Sequence, residues 1–130
     1  MKKIFLICCL VATANVVGYA QDQKNPKVVS KNDFVINVNQ LNTLLDNGKN
    51  DEAKIKWTEV HNMIRMEFIA MEPKYINAEK ENDTRQMQYY KDIMHNQQKI
   101  YQEISTLQND IKVNKSALCA KLKEFANYIL

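Results

Sequence analysis

The chain has 130 residues, with 18 Lys+Arg against 15 Asp+Glu and a formal net charge of +3. Residues 1–20 contain two of the lysines and no acid, so the remaining 110 residues carry 16 basic and 15 acidic side chains, a net charge of +1. This composition excludes a nucleic-acid binder that acts by bulk charge, and the length excludes a protein with two catalytic lobes.

The first 20 residues have the ordered regions of a secretory signal peptide. Two lysines precede an apolar run over residues 4–17, and Gly18 and Ala20 place small residues before a cleavage site. The run is too short to cross a bilayer comfortably, so we expect cleavage after Ala20; a retained membrane anchor is the alternative. High Lys and Asn content with two Arg is typical of AT-rich bacterial coding, which predicts a secreted or periplasmic protein.

Residues 21–29 have no hydrophobic period and contain Pro26, which predicts a flexible lead-in. We expect residues 30–130 to form a single helical domain, since apolar residues there recur at spacings of three and four. The first helix is predicted over residues 31–46 and ends at Asn47-Gly48, where glycine adopts the left-handed conformation. Its inward residues are Phe34, Val38, Leu41 and Leu45.

A second helix of about 30 residues is predicted from Asn50, the expected N-cap, because Asp51 and Glu52 follow it at the positive end of the helix dipole. Pro73 removes a backbone donor and clashes with the preceding turn, which predicts a kink or a break near residues 70–71. The main apolar seam consists of Trp57, Val60, Ile64, Phe68, Met71, Tyr75 and Ala78.

A third helix of about 30 residues is predicted from Asp83, which has capping-box spacing to Gln86. Its seam is Gln86, Tyr90, Ile93, Gln97, Ile100, Ile104, Leu107 and Ile111. A fourth helix is predicted from near Asn114 to the end of the chain. Its inward residues are Leu118, Leu122, Phe125 and Ile129.

These lengths predict an all-α fold. The second and third helices are each roughly 45 Å long at 1.5 Å per residue, and the short connection between them predicts a long antiparallel hairpin. The two shorter helices attach at the base of this hairpin. We therefore expect a coiled-coil-like three- or four-helix bundle with a two-helix arm projecting from it.

The arm carries the candidate contact residues. Ile55, Met66, Ile69 and Ile76 form a second stripe on the second helix, and a helix that is apolar on two sides is either buried centrally or touches another chain. The shorter helices reach Ile55 and Met66 at the base, whereas Ile69 and Ile76 lie towards the tip. The tyrosines at 75, 89, 90 and 101 are also assigned to the arm, either gripping a client protein or packing across the hairpin. The candidate protein-contact residues are Ile69, Ile76 and Tyr89.

The sequence contains few residues that could bind a metal or another cofactor. A soft-metal copper site is one interpretation of the histidines and methionines at positions 61, 63, 66, 94 and 95, but Met63 and Met66 point about 60° apart, and methionines commonly fill core gaps. Cys119 is the one cysteine left after the predicted cleavage, so it is either buried or bridges two chains. No catalytic motif occurs, and we expect neither an enzyme nor a cofactor.

The overall plan, a signal peptide followed by a long hairpin with few glycines, resembles small periplasmic helical chaperones of the Skp/OmpH-like and Spy/CpxP-like kinds. Residues 84–88 resemble the Leu-Thr-x-x-Gln element of the second group, with Asp83 where that element has Leu. The resemblance is architectural and assigns no functional residue. The sequence thus favours an exported, non-enzymatic binding or chaperone-like protein. The alternatives are a self-assembling envelope subunit and a copper binder.

Overall fold

The computed structural model describes residues 29–130. This part of the chain contains no strand, which confirms the predicted all-α class, and a single 3-10 turn follows the third helix at Gln108–Asp110. The predicted signal peptide and residues 21–28 of the predicted lead-in lie outside the described residues. The α-helices are α1 (Lys31–Asp46), α2 (Asn50–Lys80), α3 (Thr84–Leu107) and α4 (Lys115–Ala126).

Helix α1 begins and ends as its sequence predicts. The Ser30 side chain accepts a hydrogen bond from the Asp33 amide at 3.4 Å, which caps the first turn. At the other end Gly48 has φ = 69°, and the Lys49 amide donates to the Leu44 carbonyl at 2.9 Å. This is a Schellman ending, in which a left-handed residue lets the chain return to the last carbonyls of the helix.

The turn between α2 and α3 repeats this geometry with asparagine as the left-handed residue. Asn82 has φ = 54°, and the Asp83 amide donates to the Ala78 carbonyl at 3.0 Å. The Asp83 carboxylate accepts from the Gln86 amide at 3.0 Å, which confirms the predicted cap of α3. The Asp83 amide is thus bonded to the end of α2, while its side chain caps the start of α3.

Three helix ends differ from prediction. Asn50 is the first residue of α2 and not its N-cap, because the Lys49 carbonyl already accepts from the Ala53 amide at 2.9 Å. Helix α4 ends at Ala126 and not at the end of the chain, and the Tyr128 amide closes a tighter turn onto Phe125 at 2.9 Å.

Helix α3 has 24 residues and ends at Leu107, so Ile111 lies beyond it and is not part of a helical seam. Two side chains account for this early end. The Nδ2 atom of the Asn114 side chain donates to the Leu107 carbonyl at 3.1 Å, and the Asp110 carboxylate accepts from the Val113 backbone amide at 3.1 Å. Such local side-chain bonds offer the backbone an alternative to continuing the helix.

Helix α2 is continuous from Asn50 to Lys80 with Pro73 inside it, so of the predicted kink or break the break does not occur. Pro73 is exposed. It lacks the amide that would bond to the carbonyl of Ile69, and one missing bond within a helix of 31 residues leaves the helix intact.

Contacts divide the described chain into two compact units. The base unit comprises Val29–Met63 and Asn96–Leu130, and the hairpin unit comprises Ile64–His95. In the base unit α1 packs against α4, with the rings of Phe34 and Phe125 5.8 Å apart. All the inward residues predicted for α1 and α4 are buried. Val29, assigned to the lead-in from sequence, is also buried in this core.

The seam predicted for α3 is wrong at its two ends. Gln86 is exposed, and Ile111 lies beyond the helix, whereas Tyr90, Ile93 and Leu107 are partly buried. Met94 and Gln98, which the strict four-three spacing omits, are buried instead. An α-helix buries a stripe wider than a coiled-coil seam when it packs within a bundle, so residues adjacent to the predicted line become part of the core.

Candidate functional site

Two methionines form a buried cluster in the hairpin unit. Met71 of α2 and Met94 of α3 are buried together, and Tyr75, Tyr90 and Ile93 pack against them while remaining partly exposed. The other buried apolar residues of this unit include Ile64, Phe68 and Ala78. Partial burial and the charge of Glu79 raise the pKa of the Tyr75 hydroxyl above its ordinary value. Tyr75 and Tyr90 therefore follow the second of the two predicted alternatives, packing across the hairpin. The assignment of Tyr101 to the arm is wrong, because Tyr101 belongs to the base unit.

The three predicted contact residues all lie in the hairpin unit. Tyr89 is 53% exposed, and its ring centroid lies 5.3 Å from that of Tyr90. Ile69 and Ile76 are partly exposed rather than open to solvent. We call Ile69, Ile76 and Tyr89 together the hairpin surface. Ile69 and Ile76 are seven residues apart on α2, and Tyr89 lies on α3.

Ile55 is more exposed than the rest of the predicted second stripe. It is 64% exposed, so the helices of the base do not cover it as expected, whereas Met66 is partly buried, as are Ile69 and Ile76. A groove of about 510 Å³ lies nearby in the base unit, lined by Ile36, Asn39, Gln40, Thr43, Leu44 and Lys56. The Lys56 ammonium is held there by Glu59 at 2.6 Å and by the Asn37 amide oxygen at 3.2 Å.

Glu67 is a buried acid that the sequence reasoning missed. It is 3% exposed and has an interaction partner. Its position offered a signal, because Glu67 lies three residues after Ile64 and four before Met71, both of which are buried seam residues. A carboxylate at such a position is rarely buried unless it is paired.

Three rings contact one another in sequence in the base unit: Trp57, His61 and Tyr101. Trp57 and His61 lie one turn apart on α2 with ring centroids 5.4 Å apart, and His61 stacks on Tyr101 of α3 at 5.8 Å. The Nε2 atom of His61 and the Tyr101 hydroxyl share a hydrogen bond of 3.0 Å. This bond fixes the orientation of the imidazole between the other two rings.

Trp57 also lines a cleft that the sequence does not predict. Although placed in the main seam by its spacing, Trp57 is only partly buried. We call this cleft of about 400 Å³ the Trp57 cleft; its walls are the start of α2, the end of α1 and the segment following α3. It is lined by Leu45, Asn50, Lys54, Trp57, Gln108, Asn109, Asp110, Ile111 and Lys112.

Cys119 is a free thiol in the core of the base unit. Burial raises the pKa of the thiol above its ordinary value, which keeps it protonated at neutral pH. This confirms the burial alternative.

Two residues of the suggested copper set have other partners. Met94 packs on Met71, and His61 is bonded to Tyr101. Among residues 29–130, no group of three or more His, Cys, Asp and Glu side chains is placed to hold a metal ion.

None of the helices in the described part of the chain is long and apolar enough to cross a membrane. No protein-family model matches the chain, and neither a curated protein nor a solved structure matches it. The architectural resemblance to small periplasmic chaperones therefore has no matched relative behind it, and the functional argument rests on the two units themselves.

Proposed function

We propose that the protein is an exported, non-enzymatic binding or chaperone-like protein that contacts other proteins through the hairpin surface. The observation that carries this proposal is the exposure of Tyr89 beside the buried cluster of Met71 and Met94. Tyrosine supplies a large contact area at low conformational cost, and it is enriched at protein interfaces.

The surrounding residues support the same function. Tyr75, Tyr90 and Ile93 are partly exposed around the methionine core, and Ile69 and Ile76 add two partly exposed aliphatic side chains. Methionine and aromatic side chains adapt to differently shaped partners, which suits a protein with unfolded or helical clients. With export through the predicted signal peptide, the proposed site of this activity is the periplasm or the outside of the cell.

A photo-crosslinking amino acid in place of Tyr89 tests the proposal in the producing cell. We expect it to link the hairpin surface to another protein, with the same crosslinker in place of the exposed Val113 of the base unit as the matched control. Crosslinks from both positions in equal yield, or from neither, contradict the proposal. Links to a second copy of this chain identify the self-assembling subunit instead.

The double substitution of Ile69 and Ile76 by Gln separates binding from folding. Because both residues are partly exposed, we expect a smaller loss of stability than for the fully buried Ile64→Ala, which removes roughly 2–5 kcal/mol. The double variant should bind its partner or itself more weakly. Sedimentation of the variant, alone and with the partner that crosslinking identifies, measures this. A variant that melts as early as Ile64→Ala would show that these residues belong to the hairpin core.

A further inference from the structure

We propose that the Trp57 cleft binds a neutral sugar ring. The cleft has a volume of about 400 Å³, within the range of roughly 300–1,000 Å³ that is typical of small-molecule sites. All its lining residues belong to the base unit and none to the hairpin surface. The proposal is therefore independent of the protein-binding function proposed above.

The polar part of the lining matches a ligand that both donates and accepts hydrogen bonds. Side-chain amides present an acceptor oxygen and a donor nitrogen together, and the hydroxyl is the small ligand group that also does both. The cleft concentrates three such amides with one carboxylate and two ammonium groups. These residues are Asn50, Gln108, Asn109, Asp110, Lys54 and Lys112.

The charges around the cleft favour a neutral ligand. The lining itself carries two lysines and one acid, a net charge of +1, and the two segments that supply its walls, residues 45–57 and 108–112, contain four acids and four lysines, so no strong field of either sign acts on a ligand. The acids are Asp46, Asp51, Glu52 and Asp110, and the lysines are Lys49, Lys54, Lys56 and Lys112.

The apolar part of the lining matches the C–H face of a sugar. Trp57, Leu45 and Ile111 contribute apolar wall, and the partly exposed indole is the large flat element among them. An aromatic ring buries apolar ligand surface while its N–H remains available for a polar partner. His61, bonded to Tyr101, lies against the indole and holds it in position before a ligand arrives.

Asn50 gives the cleft a polar group that the fold does not use. Its Oδ1 atom is buried and has no hydrogen-bond partner within the described residues, and Asn50 does not cap α2. Rotation of the amide exchanges this oxygen with the amide nitrogen, so the side chain can present either group to a hydroxyl.

Tryptophan fluorescence tests the proposal directly, because Trp57 is the only tryptophan in the chain. The full-length purified protein is titrated with glucose, galactose, N-acetylglucosamine and maltose. We expect at least one of these to change the Trp57 emission saturably. Glucose 6-phosphate, glucosamine and alanine serve as anionic, cationic and zwitterionic comparators. Saturable binding of a comparator with no response to any neutral sugar overturns the proposal, as does no saturable response at all.

Two variants show whether the response comes from the cleft. Asn50→Ala and Gln108→Ala should each weaken binding by about tenfold, the loss expected when one good hydrogen bond is removed. Asn39→Ala, in the groove beside Ile36, is the matched control and should bind as the unchanged protein does. Thermal melts should show Asn50→Ala to be at least as stable as the parent chain. Equal sugar affinity in Asn50→Ala, Gln108→Ala and Asn39→Ala would overturn the assignment to this cleft.

Discussion

Two residues with positive φ end the first two helices in the same way. Gly48 and Asn82 each occupy the left-handed position of a Schellman ending. A Cβ atom added at Gly48 would meet no heavy atom within 4 Å, so the backbone conformation alone selects glycine there. Asparagine tolerates this conformation better than most residues with a Cβ, but less well than glycine.

Substitutions at these positions should therefore have opposite effects. Gly48→Ala should lower the free energy of unfolding by about 1–2 kcal/mol, because alanine in the left-handed region is strained. Asn82→Gly should raise it by up to about 1 kcal/mol by relieving the same strain. Urea unfolding measures both changes. A neutral Gly48→Ala variant would contradict the left-handed conformation at the end of α1.

The thiol of Cys119 should react only after unfolding. The residue is 6% exposed, and burial raises its pKa, so both access and thiolate formation are limited in the folded protein. A chromogenic disulfide reagent should label it slowly under native conditions and rapidly in urea. Prompt native labelling would contradict this, and so would a disulfide-linked dimer on a non-reducing gel that disappears in Cys119→Ser.

At the scale of elements, an ion-pair network joins α3 to α4. The Lys121 ammonium lies 2.7 Å from Glu103 and 3.1 Å from Glu124. The hydrogen bond from Lys121 lowers the pKa of the Glu103 carboxyl, and the bonds to both acids raise the pKa of Lys121. The contribution of Glu103 to stability is thus present at neutral pH and is lost as pH falls through its folded-state pKa. That of Lys121 is lost as pH rises through a pKa above its ordinary value of 10.5.

Replacing Lys121 should change the titration of Glu103. In Lys121→Ala the pKa of the Glu103 carboxyl should rise towards its ordinary value, as followed by carboxyl-carbon NMR. Lys123→Ala on the same helix is the matched control, because Lys123 is exposed and does not bond to Glu103. An unchanged Glu103 titration in Lys121→Ala would mean that the pair does not persist in solution. The effect on stability should be small, since exposed ion pairs are weak.

The elements also show how far hydrophobic spacing predicts this fold. The inward faces of α1 and α4 follow from spacing alone, because each short helix packs one face against the bundle. The end of α3 does not, since the Asp110 and Asn114 side chains compete with helix formation through specific hydrogen bonds. The position of Glu67 on the buried face follows from the same spacing, but periodicity does not identify the partner that allows a charge there.

Hydrophobic spacing does not predict the Trp57 cleft either. Its walls come from three segments that are separate in the sequence, and their proximity depends on how the end of α1, the start of α2 and the segment after α3 pack together. Spacing along α2 alone assigns Trp57 to the core, because it lies three residues before Val60 on the apolar seam. Ile69 and Ile76 could be proposed from sequence, since the second stripe of α2 is a property of one helix.

At the scale of the whole molecule, the two units should differ in local stability. The base unit has a core that extends through four helical segments, with Phe34, Phe125 and Ile104 fully buried. The hairpin unit has two helical segments, a proline inside α2, and buried apolar residues that include Ile64, Phe68, Met71 and Met94. Elements with few buried apolar contacts open at lower free energy than a well-packed core.

Hydrogen exchange measures this difference. We expect amides of residues 70–90 to exchange faster than those of 55–64 and 100–107, because opening the hairpin tip exposes little apolar surface. Met71→Ala should accelerate exchange in the hairpin unit more than in the base, whereas Leu122→Ala should accelerate the base. Uniform protection across all three segments would contradict the prediction and would mean that the hairpin surface is covered in solution. Repeating the exchange measurement on diluted protein then shows what covers this surface, because protection that falls as the protein is diluted requires a second copy of the chain.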